Sequence, residues 1–271
     1  MASIAVLQMT SGIYPAANAA TLVNAIEEAA HGGAAMLFTP EMSGLIDRDR
    51  ARATPNILAE ADDRVLAAVR EAAARAGIWV SLGSLAVARE DGRWANRGFV
   101  IDSAGSIAAR YDKLHMFDVD LASGESWRES SAYAPGDNVV TVDTPAGRLG
   151  LSICYDIRFP ALFERLGREK CDIIAIPAAF TVPTGKAHWH LLQRARAIEA
   201  SAFVVAAAQV GKHGDGRSTY GHSLVVDPWG DVLLDMGGEA PGIGFAEVAP
   251  ERIAEVRKQL PSLANRREIP N

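Results

Sequence analysis

Gly150-Leu-Ser-Ile-Cys154-Tyr-Asp-Ile-Arg158-Phe-Pro160 carries an apolar, strand-like run (149 to 153) into a charged turn and then into the helix-like stretch 159–167. A strand that passes so quickly into a helix is the building unit of an α/β fold. A thiol at the strand's carboxyl end would face the first amides of the following helix. The positive potential there is expected to favour thiolate and to hold an oxyanion. Free cysteine is also among the most buried residue types, so packing is the competing explanation on local grounds.

Outward from this elbow, apolar runs at 4–9, 35–38, 78–82, 95–101, 106–111, 139–142, 149–153, 173–176, 203–208, 224–226 and 232–234 predict strands. Helices are predicted at 17–30, 59–76, 159–168, 186–200 and 250–260. The second has Leu66, Val69 and Ala73 at helical spacing and Gly77 as its stop, while Pro250 suits the first turn of the last. Asp91-Gly92, Ser103-Ala-Gly105 and Asp227-Pro-Trp-Gly-Asp231 mark tight turns. Strand–helix alternation mixed with hairpins implies mixed sheets with helices on their outer faces. The expected architecture is an α/β layered sandwich, with residues 1–271 as a single domain and no convincing internal repeat.

The composition fits a globular chain. Of 271 residues, 49% are apolar and 22% charged, enough to bury a sizeable core. A net charge of −6 without a basic stripe argues against nucleic-acid binding and against an anionic membrane surface. No apolar run approaches spanning length, and Met1-Ala-Ser-Ile-Ala-Val-Leu-Gln8 lacks the basic flank of a signal peptide. Two cysteines, Cys154 and Cys171, make no disulfide framework at this length. The expectation is a soluble, cytoplasmic protein.

Three segments share one form, a strand end followed at once by a reactive side chain. They are Leu37-Phe-Thr-Pro-Glu41, Arg110-Tyr-Asp-Lys113-Leu-His115 and the Cys154 elbow. A thiol nucleophile needs a base to take its proton and a cation or amide to hold the oxyanion; glutamate, lysine and cysteine meet those needs without a metal. In this context the three segments resemble the Glu–Lys–Cys triad of the nitrilase superfamily of carbon–nitrogen hydrolases, and the similarity runs from Val6 to Pro261. That resemblance implies a four-layer α-β-β-α sandwich and no cofactor. It also implies Cys154 as nucleophile, Glu41 as general base and then acid, and Lys113 with the backbone N–H of Tyr155 as oxyanion donors. A second family glutamate corresponds to Glu129, with Glu125 as a nearby competitor, and would hold Lys113.

Within the superfamily, Asp143-Thr-Pro-Ala-Gly-Arg-Leu-Gly150, Thr184-Gly-Lys-Ala-His-Trp189, Leu192-Gln-Arg-Ala-Arg-Ala-Ile-Glu199 and Ser218-Thr-Tyr-Gly-His222 are similar to the deaminated glutathione amidase and ω-amidase branch. The implied reaction splits the amide of deaminated glutathione, a transaminase side product, into 2-oxoglutarate and cysteinylglycine. The alternatives are 2-oxoglutaramate, 2-oxosuccinamate or another small aliphatic amide. A third possibility is a retired scaffold that binds a partner, against which the three intact chemical types count.

An α-keto acid needs a fixed cation and polar donors. Arg158 could serve as that cation, or could pair with Asp156 or Glu164 at a helix start. Phe180 and Thr184 are expected to line the pocket, and Arg194, Arg196 and Glu199 to form structural ion pairs. His188-Trp-His190 invites a metal reading, but no third ligand of suitable spacing is evident and alternate helix positions face apart, so no metal is expected. The resemblance further implies a homodimer whose partner molecule otherwise is only a small amide.

Overall fold

The apolar N-terminal run forms β1 (Ala2–Gln8), in which Ile4 and Val6 face one side of the sheet and Ala5 and Leu7 the other, all buried. Burial on both faces is what a central strand covered from both sides requires. The computed structural model describes residues 1–122, 124 and 126–267; the Glu125 alternative lies outside them. The first half continues through α1 (Pro15–His31), β2 (Met36–Phe38), α2 (Arg50–Ala53), α3 (Arg64–Ala76), β3 (Trp79–Ala88), β4 (Trp94–Ile101) and β5 (Ile107–Asp112). A small hairpin follows, β6 (Asp118–Asp120) and β7 (Ser126–Arg128).

The second half holds β8 (Thr141–Thr144), β9 (Gly147–Leu151), α4 (Pro160–Arg168), β10 (Ile173–Ala175), α5 (Val182–Ala200) and β11 (Phe203–Ala206). A second hairpin, β12 (Val210–Lys212) and β13 (Ser218–Tyr220), precedes β14 (Leu224–Val226), β15 (Val232–Asp235), β16 (Gly242–Val248) and α6 (Pro250–Gln259).

Two six-stranded sheets result, ordered β16-β1-β2-β3-β4-β5 and β15-β14-β11-β10-β9-β8. Each has a parallel centre, β1-β2-β3 in one and β9-β10-β11 in the other, flanked by antiparallel strands. The repeated β-α-β-α-β plan is architectural only, because the two halves share no visible sequence pattern. Ile4, Met36 and Val100 of the first sheet join Leu149, Ile173 and Val204 of the second in one buried cluster, so the sheets pack face to face. Leu22 and Ile26 of α1 with Val69 and Ala73 of α3 cover the outer face of the first sheet. Phe163 of α4 and Trp189 and Ala197 of α5 belong to the cluster of the second. This is the expected α-β-β-α layering.

Parallel centres matter for function because they bring strand carboxyl ends to one edge, where α/β folds bind ligands. β2 delivers Glu41, β9 delivers Cys154, and β10 delivers Ala179 and Phe180 to that edge. β5 is antiparallel to β4, itself antiparallel to β3, so Lys113 emerges on the same side. Met9 and Gln209, just past β1 and β11, pair in parallel and join the sheets there.

Several boundaries differ from expectation. The helix expected from 59 starts at Arg64, because the Asp63 side chain accepts from the Leu66 N–H (2.8 Å) and caps it there. The helix expected from 186 begins at Val182, with a proline in its first turn. The strand expected over 203–208 ends at Ala206, and the run at 78–82 extends to Ala88. β16, in an exposed alternating pattern with glycines, and the two small hairpins carry no apolar run that would have marked them.

Candidate active site

Glu41 sits in a loop that the neighbouring strands hold in place. Thr39 N–H donates to the Ser81 carbonyl (3.0 Å), Met42 N–H to Ser84 Oγ (2.9 Å), and Gln209 Nε2 to the Glu41 carbonyl (2.9 Å). Gly83 packs so closely beneath it that a Cβ would lie 2.1 Å from the Thr39 carbonyl oxygen and 2.4 Å from that of Pro40. Lys113, one residue past β5, is fixed by its N–H to the Asn96 carbonyl (3.0 Å) and by Gly136 N–H to its own carbonyl (2.8 Å). Cys154 opens a short 3-10 turn (Cys154–Arg158) in the left-handed conformation, φ 48°. Its N–H donates to the Pro177 carbonyl at 2.9 Å. Such a backbone costs a non-glycine residue on the order of 1–3 kcal/mol and is a feature of functional sites.

One buried carboxylate ties two of these segments together. Asp156 accepts from Tyr111 Oη (2.7 Å) and from the Ile153 and His115 N–H groups (2.9 and 3.0 Å), and His115 Nδ1 lies 2.7 Å from it. The residues flanking Lys113 are therefore bonded to the turn that carries Cys154.

The side chains then meet. Lys113 Nζ donates to Glu41 Oε1 at 3.0 Å and to Glu129 Oε1 and Oε2 at 3.1 and 2.9 Å. Asn96 Nδ2 bridges the same two carboxylates (2.9 and 3.0 Å), Ala179 N–H donates to Glu41 Oε2 (2.9 Å), and Phe117 N–H to Glu129 Oε2 (2.6 Å). The Cys154 thiol faces Glu41, and each group shifts the protonation of the other. Lys113 is 2% exposed and Glu41 5%, so these charges act with little water to screen them.

Their electrostatics are coupled. Burial works to raise the Glu41 carboxyl, but Lys113, the thiol and Asn96 outweigh it, and the group lies below its ordinary value. Burial opposes the charge on Lys113, yet Glu129 and Glu41 hold it protonated far into the alkaline range. The Cys154 thiol is pushed up, first by burial and then by the Glu41 charge, with Lys113 only partly compensating. The expected thiolate is thus overturned. The next α-helix starts only at Pro160, beyond the turn, and the Glu41 charge acts on the thiol more strongly than the Lys113 charge does. At rest the site holds a thiol beside an ionised carboxylate.

Glu41, Lys113, Glu129 and Cys154 all line one cavity of about 620 Å³, together with Tyr155, Arg158, Phe180 and Thr184. The Tyr155 N–H has no acceptor among the described residues. Arg158 does not pair with Asp156, which is saturated by other donors, nor with Glu164, which pairs with Arg168 and Arg266. Its guanidinium instead lies over the Phe180 and Tyr155 rings (5.4 and 5.9 Å) and beside His188 Nδ1 (3.3 Å), with no carboxylate partner among the described residues. Thr184 Oγ1 is 2.8 Å from Thr181 Oγ1. Away from the cavity, Arg196 pairs with Glu199 (2.6 Å) as expected, whereas Arg194 bonds the Gly230 carbonyl (2.7 Å).

Two parts of the site escaped sequence reasoning. Asn96 lies mid-strand, and its only signal is a polar residue inside an apolar run. Trp127 on β7 and Arg217, stacked 4.8 Å from it, form a cavity wall on hairpins without periodicity. Outside the cavity, His222 and Asp235 gather against His190, across 45 residues of sequence that hid them.

A carbon–nitrogen hydrolase model matches residues 3–258. A deaminated glutathione amidase of Yersinia enterocolitica is 39% identical over 273 residues, covering 99% of this chain and 94% of that protein. The crystal structure of the C. elegans NitFhit protein superimposes with a TM-score of 0.90 at 38% identity, over 98% of this chain and 65% of that longer one. Saccharomyces cerevisiae Nit3, of the nitrilase superfamily, superimposes with a TM-score of 0.87 at 26% identity, over 98% and 97% of the two chains. Sheet order, converging strand ends and these likenesses agree, and the chain belongs to the carbon–nitrogen hydrolase family of the nitrilase superfamily.

Proposed function

We propose that the protein hydrolyses a linear amide through a Cys154 thioester, with deaminated glutathione as substrate. The observation that carries this is the meeting of the Cys154 thiol, the Glu41 carboxylate and the Lys113 ammonium in the lining of one cavity. Glu41 takes the thiol proton as sulfur bonds to the amide carbon, and the carbonyl electron pair moves to oxygen. Lys113 Nζ and the Tyr155 N–H meet that oxyanion. The C–N bond breaks as Glu41 returns the proton to the departing nitrogen, leaving a thioester and a free amine. Glu41 then deprotonates a water, whose oxygen bonds to the thioester carbon. The C–S bond breaks, sulfur recovers its proton, and the acid departs. Glu129 keeps Lys113 charged and aimed throughout.

The substrate follows from relatives bearing the name deaminated glutathione amidase and from the cavity itself. A 620 Å³ space suits a tripeptide-sized molecule. Arg158, which has no carboxylate partner among the described residues, is the cation for the α-keto acid end, with the Phe180 ring as a flat wall and the Thr184 hydroxyl as a donor. Deaminated glutathione and 2-oxoglutaramate compared at matched concentrations test this by kcat/KM. Preference for the first supports it, preference for the second makes the protein an ω-amidase, and turnover of neither refutes it.

The whole of 1–271 is taken as one domain, working as a homodimer in the cytoplasm. Among the described residues no helix is long and apolar enough to cross a membrane. Leu191 (70% exposed) and Ile198 (42%) share one face of α5, and Ile198 abuts Gly230 next to exposed Trp229, which supports a dimer seam there. Light scattering should return twice the chain mass, and Leu191→Asp should return one; a wild-type monomer refutes the seam.

A further inference from the structure

The geometry points to a divalent transition-metal site formed by His190, His222 and Asp235, on the outer side of α5 and separate from the catalytic cavity. His190 Nε2 lies 3.0 Å from Asp235 Oδ2, and His222 Nδ1 lies 3.2 Å from the same oxygen. All three ligand atoms fall within 4.8 Å of one another. A tetrahedral ion with bonds of about 2.0–2.1 Å holds its ligand atoms about 3.3 Å apart. Both histidine–aspartate spacings need to open by only tenths of an ångström, and the widest separation closes by rotation of the half-exposed His190 ring.

The site is built rather than a chance meeting of flexible side chains. His222 is held in the left-handed conformation, φ 54°, by Trp189 Nε1 donating to its carbonyl (2.7 Å) and by its own N–H to the Gly237 carbonyl (2.7 Å). Tyr220 stacks on its ring at 4.5 Å, and Gly238 packs closely against the Nε2 edge, where an added Cβ would sit 3.1 Å away. Nδ1 is thereby turned to Asp235. Asp235 Oδ1 is oriented by the Gly237 N–H at 2.9 Å, the kind of outer hydrogen bond that supports metal ligands.

Two imidazoles and one carboxylate select Zn²⁺, Co²⁺ or Ni²⁺ over Mg²⁺ and Ca²⁺, which prefer oxygen ligands, and leave a position for water. The ion would tie α5 to β15. The first turn of α5 and Ser218–Thr219 both line the catalytic cavity, and Tyr220 connects them by packing on Gly185. Occupancy would stiffen that wall.

The test uses tag-free protein in a Cys154→Ala background, so that the catalytic thiol cannot take the metal. Equilibrium dialysis against micromolar Zn²⁺, with metal counted by atomic emission, should give one ion per chain. Co²⁺ should show the strong ligand-field bands of a low-coordinate site. His188→Gln, on the same helix but outside the cluster, should leave both unchanged. Asp235→Asn and His190→Gln should each weaken retention by more than about tenfold, the effect already seen for outer-shell changes. If Asp235→Asn fails to fold, the exposed His190→Gln decides alone. Absence of metal from the parent protein, or full retention in His190→Gln, overturns the site and leaves a hydrogen-bonded His–Asp–His clamp.

Discussion

Glu129→Gln tests how much the second carboxylate contributes without touching the nucleophile. Glu129 accepts two bonds from Lys113 Nζ, one from the Phe117 N–H and one from Asn96 Nδ2. A carboxamide can still accept at one oxygen, but its NH₂ group must face donors, so at least one bond is lost along with the charge. Hydrogen bonds to charged groups contribute about 1.5–3 kcal/mol each, and breaking a buried pair outright costs about 3–5. Lys113 keeps Glu41 as a partner, so a loss of about 2–4 kcal/mol is expected, between the single bond and the full pair. At 1.36 kcal/mol per decade this is about a 30- to 1,000-fold fall in kcat/KM.

A purely structural role would lower activity only through folding, so the pH profile separates the two. Removing a negative charge makes the site more positive, which lowers the Glu41 carboxyl further and moves the acid limb of kcat/KM to lower pH. Steady-state rates across pH, with circular dichroism at each point to confirm folding, supply the measurement. Activity within threefold of wild type, or an acid limb that does not move, would refute the reasoning.

Iodoacetamide alkylation of Cys154 should show no inflection at the ordinary thiol value of about 8.5, because burial and Glu41 hold the proton on sulfur to higher pH; an inflection at or below that value contradicts the resting thiol. Arg158→Ala should cost about 1.5–3 kcal/mol toward an anionic substrate, about 10- to 150-fold in kcat/KM, while sparing a small neutral amide. Equal losses on both substrates would remove Arg158 from carboxylate recognition. Gly83→Ala should lower stability by about 3 kcal/mol, since backbone oxygens of the Glu41 loop block the new methyl. A denaturation midpoint equal to wild type would show that the loop yields.

Glu41, Lys113 and Cys154 each stand just past a strand end, a position that points to the edge they reach, and it was the family resemblance of the three segments that singled them out as a set. The layered fold was legible through alternation of apolar runs with helices marked by a stop at Gly77 and a start at Pro250. Asn96 was not, because a strand position does not reveal which face will meet two carboxylates from distant segments. Nor was the state of the thiol, whose potential depends on a carboxylate 113 positions earlier in the chain and on full burial rather than on the local turn. β16 alternates between exposed and half-buried positions and pairs with β1 only after the whole chain has returned, a long-range contact that no local pattern records. His222 and Asp235 were hidden likewise, since a turn and a strand edge bring them to a histidine on a helix.

Acid quenching during turnover of deaminated glutathione, followed by peptide mass analysis, tests the covalent route most directly. A 2-oxoglutaryl group should appear on the peptide bearing Cys154, with a burst of cysteinylglycine equal to the enzyme present. Turnover without any adduct or burst, or an adduct on Cys171, whose buried thiol is pushed up to about 12, would contradict it.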